Sequence, residues 1–192
     1  MQKIIFTCVF FFCTFLLAAQ EGKTSFDYLL LPSATRSAAL GGTNISIIEN
    51  DASLINNNPA LLGNEMDLNL TVSYLSYLAD IGMGNVFFTK AWGERSAWGV
   101  GVNYANYGKN MNETTNEGVV GKLQASDICG NIFFSRDLTD KIRGGITAKF
   151  LYSNYYHNTA IGLGVDIGLS YYNEEQGFSA GLVGKNLGRQ IK

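Results

Sequence analysis

Ser153 and His157 are the residues whose types first raise the question of chemistry, because an imidazole beside a hydroxyl could activate it as a nucleophile. His157 is the one histidine of the chain, and it sits between Tyr156 and Asn158 in a polar turn. No carboxylate stands at an evident position to orient it, so the turn accounts for this histidine without general acid-base catalysis. We therefore expect no enzyme. Of the three cysteines, Cys8 and Cys13 fall in the apolar start of the chain, which leaves Cys129 alone. One cysteine and one histidine fall short of the four ligands of a structural zinc site, and a single thiol forms no intrachain disulfide. No cofactor or metal is expected.

Gly99-Val100-Gly101 and Gly162-Leu163-Gly164 look like pieces of a phosphate loop, but no helix follows to offer its N-terminus. They belong to a different pattern. Between residues 159 and 172, Ile161, Leu163, Val165, Ile167, Leu169 and Tyr171 alternate with Gly162, Gly164, Asp166, Gly168 and Ser170. A period of two puts the bulky set on one side of a strand and the thin set on the other. The run exceeds the roughly 5 to 6 residues of an ordinary strand and reaches the roughly 9 to 11 that cross a bilayer tilted.

The same alternation recurs at Leu68, Leu70, Val72 and Tyr74, at Trp98, Val100, Val102 and Tyr104, and at Ile146, Ala148, Phe150 and Tyr152. Residues 85–92, 126–136 and 178–186 show it less cleanly. Seven strands with no helical stretch between them predict an all-β, antiparallel up-and-down meander. In water the second face would carry many charges, yet it is built from Gly, Ala, Ser, Thr and Asn, and only 16% of the chain is charged against about a quarter in a typical soluble protein. A lipid-facing apolar band around a polar lumen fits this composition, and a sheet in hydrocarbon must close. The expectation is a transmembrane β-barrel, with Lys149 and Asp166 on its lumenal face.

Lys3 precedes an apolar stretch from Ile4 to Leu17, and Ala18-Ala19 follow it, which reads as an export signal over residues 1–19. Its removal takes one lysine from a formal charge of −2 and leaves −3, so no basic surface for nucleic acid is expected. Residues 93–96, 137–141 and 173–177 form short turns, whereas 108–124 is long and rich in Asn, Thr and Glu. Barrels of this kind keep short turns in the periplasm, which would put the long loop outside the cell. Trp92, Trp98, Tyr155, Tyr156, Tyr171 and Tyr172 lie near strand ends, where interfacial girdles sit.

Residues 20–67 differ in kind. Ser33 can cap a helix through Leu40, and Gly41-Gly42 can end it in a backbone region that glycine tolerates. Ile45 and Ile47 alternate briefly. Asp51 can cap a turn through Leu54, and Asn58-Pro59 can stop it. This segment is either a compact hatch or plain connecting structure before the barrel over residues 68–192.

Ser37 to Ile48, with Gly41 and Gly42, then Asp51-Ala52-Ser53, then Asn57-Asn58-Pro59-Ala60-Leu61-Leu62, resemble the start of the PorV/PorQ family of outer-membrane proteins, the PorQ branch above all. Gly41, Gly42, Asp51, Asn58, Pro59 and Ala60 are the motif positions. The resemblance implies a barrel of the fatty-acid-transporter type, with an N-terminal hatch, in the outer membrane of a Gram-negative cell. It implies a part in the type IX secretion system, anchoring a PorZ-like surface protein in the sortase-containing complex that attaches secreted proteins to lipopolysaccharide. Membrane lipid and those surface proteins would be the partners. Members of the family are longer, with about twice as many strands, so this chain is expected to be an N-terminal fragment, an incomplete barrel. A channel for hydrophobic small molecules is the competing reading, because transporter barrels share the Gly-Gly and Asn-Pro-Ala pieces.

Overall fold

The computed structural model describes residues 26–32, 34–77, 81–108, 111–115, 118–123, 125–155 and 158–191. The proposed export signal, Ser33 and His157 lie outside them. Nine strands are present among the described residues: β1 (Asn69–Ser76), β2 (Gly82–Ala91), β3 (Ser96–Asn106), β4 (Met111–Thr115), β5 (Gly118–Leu123), β6 (Ala125–Asp137), β7 (Ile142–Tyr155), β8 (Asn158–Asn173) and β9 (Phe178–Gln190). Seven of them make one antiparallel sheet in the order β1-β2-β3-β6-β7-β8-β9, as the meander expectation requires. Its first and last strands are not paired with each other, so the sheet is open. The segment expected as a plain long loop instead holds a separate hairpin, β4 with β5.

The two faces of the sheet are opposite in character. On the outer face Val72, Val86, Val102, Gly130, Phe150 and Leu163 follow one another across neighbouring strands in direct register. The next row holds Leu70, Phe88, Val100, Ile132, Ala148 and Val165. These side chains are largely exposed; Val72 is 68% accessible and Ile132 63%. On the inner face Asn103, Asp127, Asn131, Thr147, Lys149, Ser153, Asp166 and Ser170 are all buried. A soluble sheet is arranged the other way round, with its apolar side against a core.

What covers the inner face is the N-terminal segment. It contains one short helix, α1 (Thr35–Ala39), and 3-10 turns at Asp27–Leu30, Ala52–Leu54, Pro59–Leu61 and Asn64–Met66. Ala34 occupies the N-cap position of α1 and provides no side-chain cap, so the helix starts later than a Ser33 cap would place it. Ile45 and Ile47 form no strand, because the Asn44 side chain accepts from the N–H groups of Ser46 and Ile47 and bends the chain. The apolar core lies between segment and sheet: Ala52, Ile55, Leu62 and Met66 pack on Phe87, Ala97 and Phe133, whose two rings meet edge to face at 5.7 Å.

Candidate functional site

Of the motif residues, Asn58, Pro59 and Ala60 sit at the junction of the N-terminal segment with the sheet, whereas Gly41, Gly42 and Asp51 shape the segment itself. Gly41 and Gly42 follow α1 with φ of +87° and +115°, a region that side-chain-bearing residues rarely adopt. The turn they make lets Gly42 N–H donate to Ser37 O at 2.9 Å, and Asn57 Nδ2 donates to the buried Ser37 hydroxyl at 3.0 Å. Asp51 caps the Ala52–Leu54 turn by accepting from Ser53 N–H at 2.9 Å, and its other oxygen lies 3.4 Å from Arg36 Nε. Arg36 also pairs with Glu49. These contacts tie α1 to the turns that follow.

Asn58 does not simply stop a helical turn; it starts the next one. Its Oδ1 accepts from Ala60 N–H at 3.0 Å, with Pro59 in the first position of the Pro59–Leu61 turn, where a missing N–H costs nothing. Its Nδ2 donates to Ile45 O at 2.8 Å and to Leu169 O in β8 at 3.3 Å. Asn58, Pro59 and Ala60 are buried on a patch of the sheet that carries no side chains. A Cβ at Gly145 would overlap the Pro59 backbone, one at Gly168 would overlap Asn58, and one at Gly181 would overlap Ile45 O. The thin stripe of these strands is thin where the N-terminal segment sits.

Hydroxyls and amides spread the attachment over the sheet. Thr89 donates to Met66 O and Ser135 to Leu62 O, each at 2.7 Å, while Thr35 N–H donates to Ser73 Oγ at 3.1 Å. Arg143 in β7 reaches Glu65 at 3.1 Å and Asp137 at 2.6 Å, a bridge between segment and strand end.

Two polar clusters lie deeper on the inner face. Lys149 Nζ and Asp166 Oδ2 are 2.7 Å apart on adjacent strands, with both side chains 2% exposed. Asn186, at a bulge in β9 with φ +57°, completes the group: its N–H donates to Asp166 Oδ1 at 2.7 Å and its Oδ1 accepts from Lys149 at 2.8 Å. The second cluster is one that the sequence reading missed. Asp127 is fully buried, and its Oδ2 accepts from Tyr107 at 2.5 Å and from Tyr155 at 2.9 Å. Its inward parity with Cys129 and Asn131 on β6 was the available signal. Tyr28 packs beside it in a cluster with Phe26, Met83 and Cys129. Burial, then the neighbouring Cys129 and Asp127, push the Tyr28 phenol well above its ordinary range, and burial with the Asp127 hydrogen bond does the same to Tyr107.

Other inner-face groups have less company. The hydroxyls of Thr147, Ser153 and Ser170 are buried without a protein partner among the described residues. Among the described residues no three His, Cys, Asp or Glu side chains come together to hold a metal ion.

The fold and this junction define a class: an antiparallel β-sheet whose apolar side faces outward and whose polar side is sealed by the chain's own N-terminal segment. No family model matches the chain, and no curated protein matches it in sequence.

Proposed function

We propose that the chain belongs to an outer-membrane β-barrel that serves the type IX protein secretion system, anchoring the surface complex that attaches secreted proteins. The carrying observation is the inside-out sheet. Soluble monomers seldom expose contiguous apolar patches beyond a few hundred Å², whereas here the rows through Val72 and Leu70 run from β1 to β8 without a charged side chain. Acyl chains are the solvent that makes such a face favourable, and an enclosed aqueous space suits the polar face opposite. Closure of the sheet into a barrel belongs to this reading, since a free edge in hydrocarbon leaves backbone groups unpaired.

The choice of secretion system rests on the resemblance carried by Gly41, Gly42, Asp51, Asn58, Pro59 and Ala60. These residues form the hatch contacts described above, which gives their order and spacing a structural purpose. The scaffold reading is favoured over small-molecule transport by how closely the N-terminal segment sits on the wall. A cavity between them among the described residues, lined by Tyr28, Leu29, Met83 and Asn103 among others, measures about 20 Å³, room for a water and not for an acyl chain. Under this reading PorZ-like and sortase-containing partners meet the end that carries the β4–β5 hairpin.

The test is affinity purification of the tagged protein from outer membranes of its own cells. Recovery of surface proteins with a sortase supports the scaffold. Recovery of the barrel with stoichiometric free lipid and without those proteins sinks it in favour of transport.

A further inference from the structure

We propose that Lys90, Trp92, Trp98 and Arg136 bind the phosphate of an anionic phospholipid headgroup at one rim of the outer face. The site rests on the bilayer reading and adds to it a specific lipid contact. Lys90 shares the outward parity of Val86 and Phe88 on β2 and stands directly opposite Trp98 on β3. Trp98 in turn faces Phe134 on β6, and Trp92 sets its ring edge-on to Phe134 at 6.1 Å. Lys90, Ala91, Trp92 and Trp98 line an open pocket on this surface. Arg136 lies two residues beyond Phe134, also outward and exposed.

Every polar side-chain atom these residues offer is a donor. Ammonium, guanidinium and indole N–H groups have no acceptor of their own. Two nearby arginines are already paired, Arg95 with Asp140 at 2.8 Å and Arg143 with Asp137 and Glu65. Lys90 and Arg136 make no ion pair among the described residues. A pocket whose polar groups are all donors, with the Lys90 charge in its lining and Arg136 outward on the same face, calls for an anion, and phosphate oxygens are its natural complement.

The surroundings say which anion. Immediately along the strands from Lys90 and Trp98 runs the apolar row Leu70, Phe88, Val100 and Ile132, so a ligand held here continues into hydrocarbon contact. Free phosphate has nothing to place on that row; a phospholipid does. The lysine stem can lie along it while the ammonium reaches the headgroup, and tryptophan favours this same depth.

Trp92 and Trp98 are the two tryptophans of the chain, so fluorescence excited selectively in tryptophan, clear of the 10 tyrosines, reports on this pocket alone. The full chain is inserted into phosphatidylcholine vesicles containing a minor fraction of lipid with a nitroxide next to the phosphate, carried either on phosphatidylglycerol or on phosphatidylcholine. Tryptophan should be quenched more strongly by the labelled phosphatidylglycerol, by about fivefold in effective affinity for each basic residue engaged. Lys90→Gln with Arg136→Gln should erase that preference. Equal quenching by the two lipids in the unaltered protein overturns the site while leaving the bilayer reading intact, provided that acyl-chain nitroxides also quench. Failure of every labelled lipid to quench overturns both. Loss of the preference on adding inorganic phosphate at matched ionic strength assigns the pocket to a soluble anion and overturns the lipid.

Discussion

Asn58 occupies the space that a side chain at Gly168 would need, and across that gap its amide reaches the backbone carbonyl of Leu169 at 3.3 Å. The pairing of a capping asparagine with a bare stretch of strand is what seats the N-terminal segment. Gly168→Val should therefore displace the segment, because its Cβ meets Asn58 Oδ1 and the Pro59 ring, at a cost of about 3 kcal/mol from overpacking. Asn58→Ala removes the cap and two further hydrogen bonds without a collision and should cost about 2 kcal/mol. Urea unfolding in detergent gives the order, and limited proteolysis should open cleavage within residues 26–67 in Gly168→Val first. Unchanged protection in both variants would contradict the packing.

The buried pair offers a sharper contrast. Lys149, Asp166 and Asn186 satisfy one another within 2.8 Å, and the Lys149 and Asp166 side chains are each 2% exposed, so removing one charge leaves the other buried without its partner. Asp166→Asn is expected to destabilise by about 3 to 5 kcal/mol, whereas Lys149→Met with Asp166→Leu should recover most of that loss. A double variant as unstable as the single would mean that the charges themselves, and not their balance, are what the fold requires. The double-mutant cycle read from unfolding midpoints decides it.

How much of this was readable beforehand varied with where large inner residues fall. β1, β3, β7 and β8 alternate cleanly, and their apolar and small faces follow directly from the pattern. β2 and β6 blur because Phe87 stands between Val86 and Phe88, and Phe133 between Ile132 and Phe134, so three bulky residues run together. The structure explains the interruption: both inward phenylalanines are fully buried under Ile55, Leu62 and Met66. Local capping by Asp51 and the Gly41-Gly42 turn were legible because their partners are neighbours in sequence. The role of Asn58 was not, since its strand partner lies 111 residues away. Pairing of Lys149 with Asp166 was open on parity alone. The tyrosines around Asp127 left no local signature, because they come from a strand end and a loop that meet only in three dimensions.

That tyrosine cluster has a consequence in alkali. An ordinary tyrosine ionises near pH 10, but burial raises Tyr28, and burial with the Asp127 hydrogen bond raises Tyr107, so both keep their protons there. Below that pH the folded and unfolded chains bind the same protons at these sites, and stability has no slope from them. Above it the unfolded chain loses protons that the folded chain retains, so stability falls as pH rises from the ordinary value toward the raised ones. Spectrophotometric titration at the tyrosinate band between about pH 9 and 11 should show the same amplitude for Tyr28→Phe and Tyr107→Phe as for the unaltered protein. A drop of one tyrosine's worth in either variant would mean that the residue is solvated.

The polarity of the sheet can be read with single cysteines, and the structure says which positions to use. Val100 and Leu163 point outward and are exposed, so cysteines there are tolerated without repacking. On the inner face Gly101 is unsuitable, because any Cβ would overlap the Phe87 ring. Gly164 is better placed: its Cβ would lie 3.7 Å from Lys149 Cβ, an ordinary contact. Cys129 is fully buried and is replaced by serine to give a clean background. In bilayers an environment-sensitive probe at Val100 or Leu163 should be quenched by acyl-chain nitroxides and respond weakly to aqueous quenchers, and a probe at Gly164 should show the reverse. The ratio of lipid to aqueous quenching should therefore be inverted between the two faces if one sees hydrocarbon and the other water. A probe at Gly164 in lipid, with those at Val100 and Leu163 in water, would reverse the sheet and remove the physical ground for an outer-membrane location.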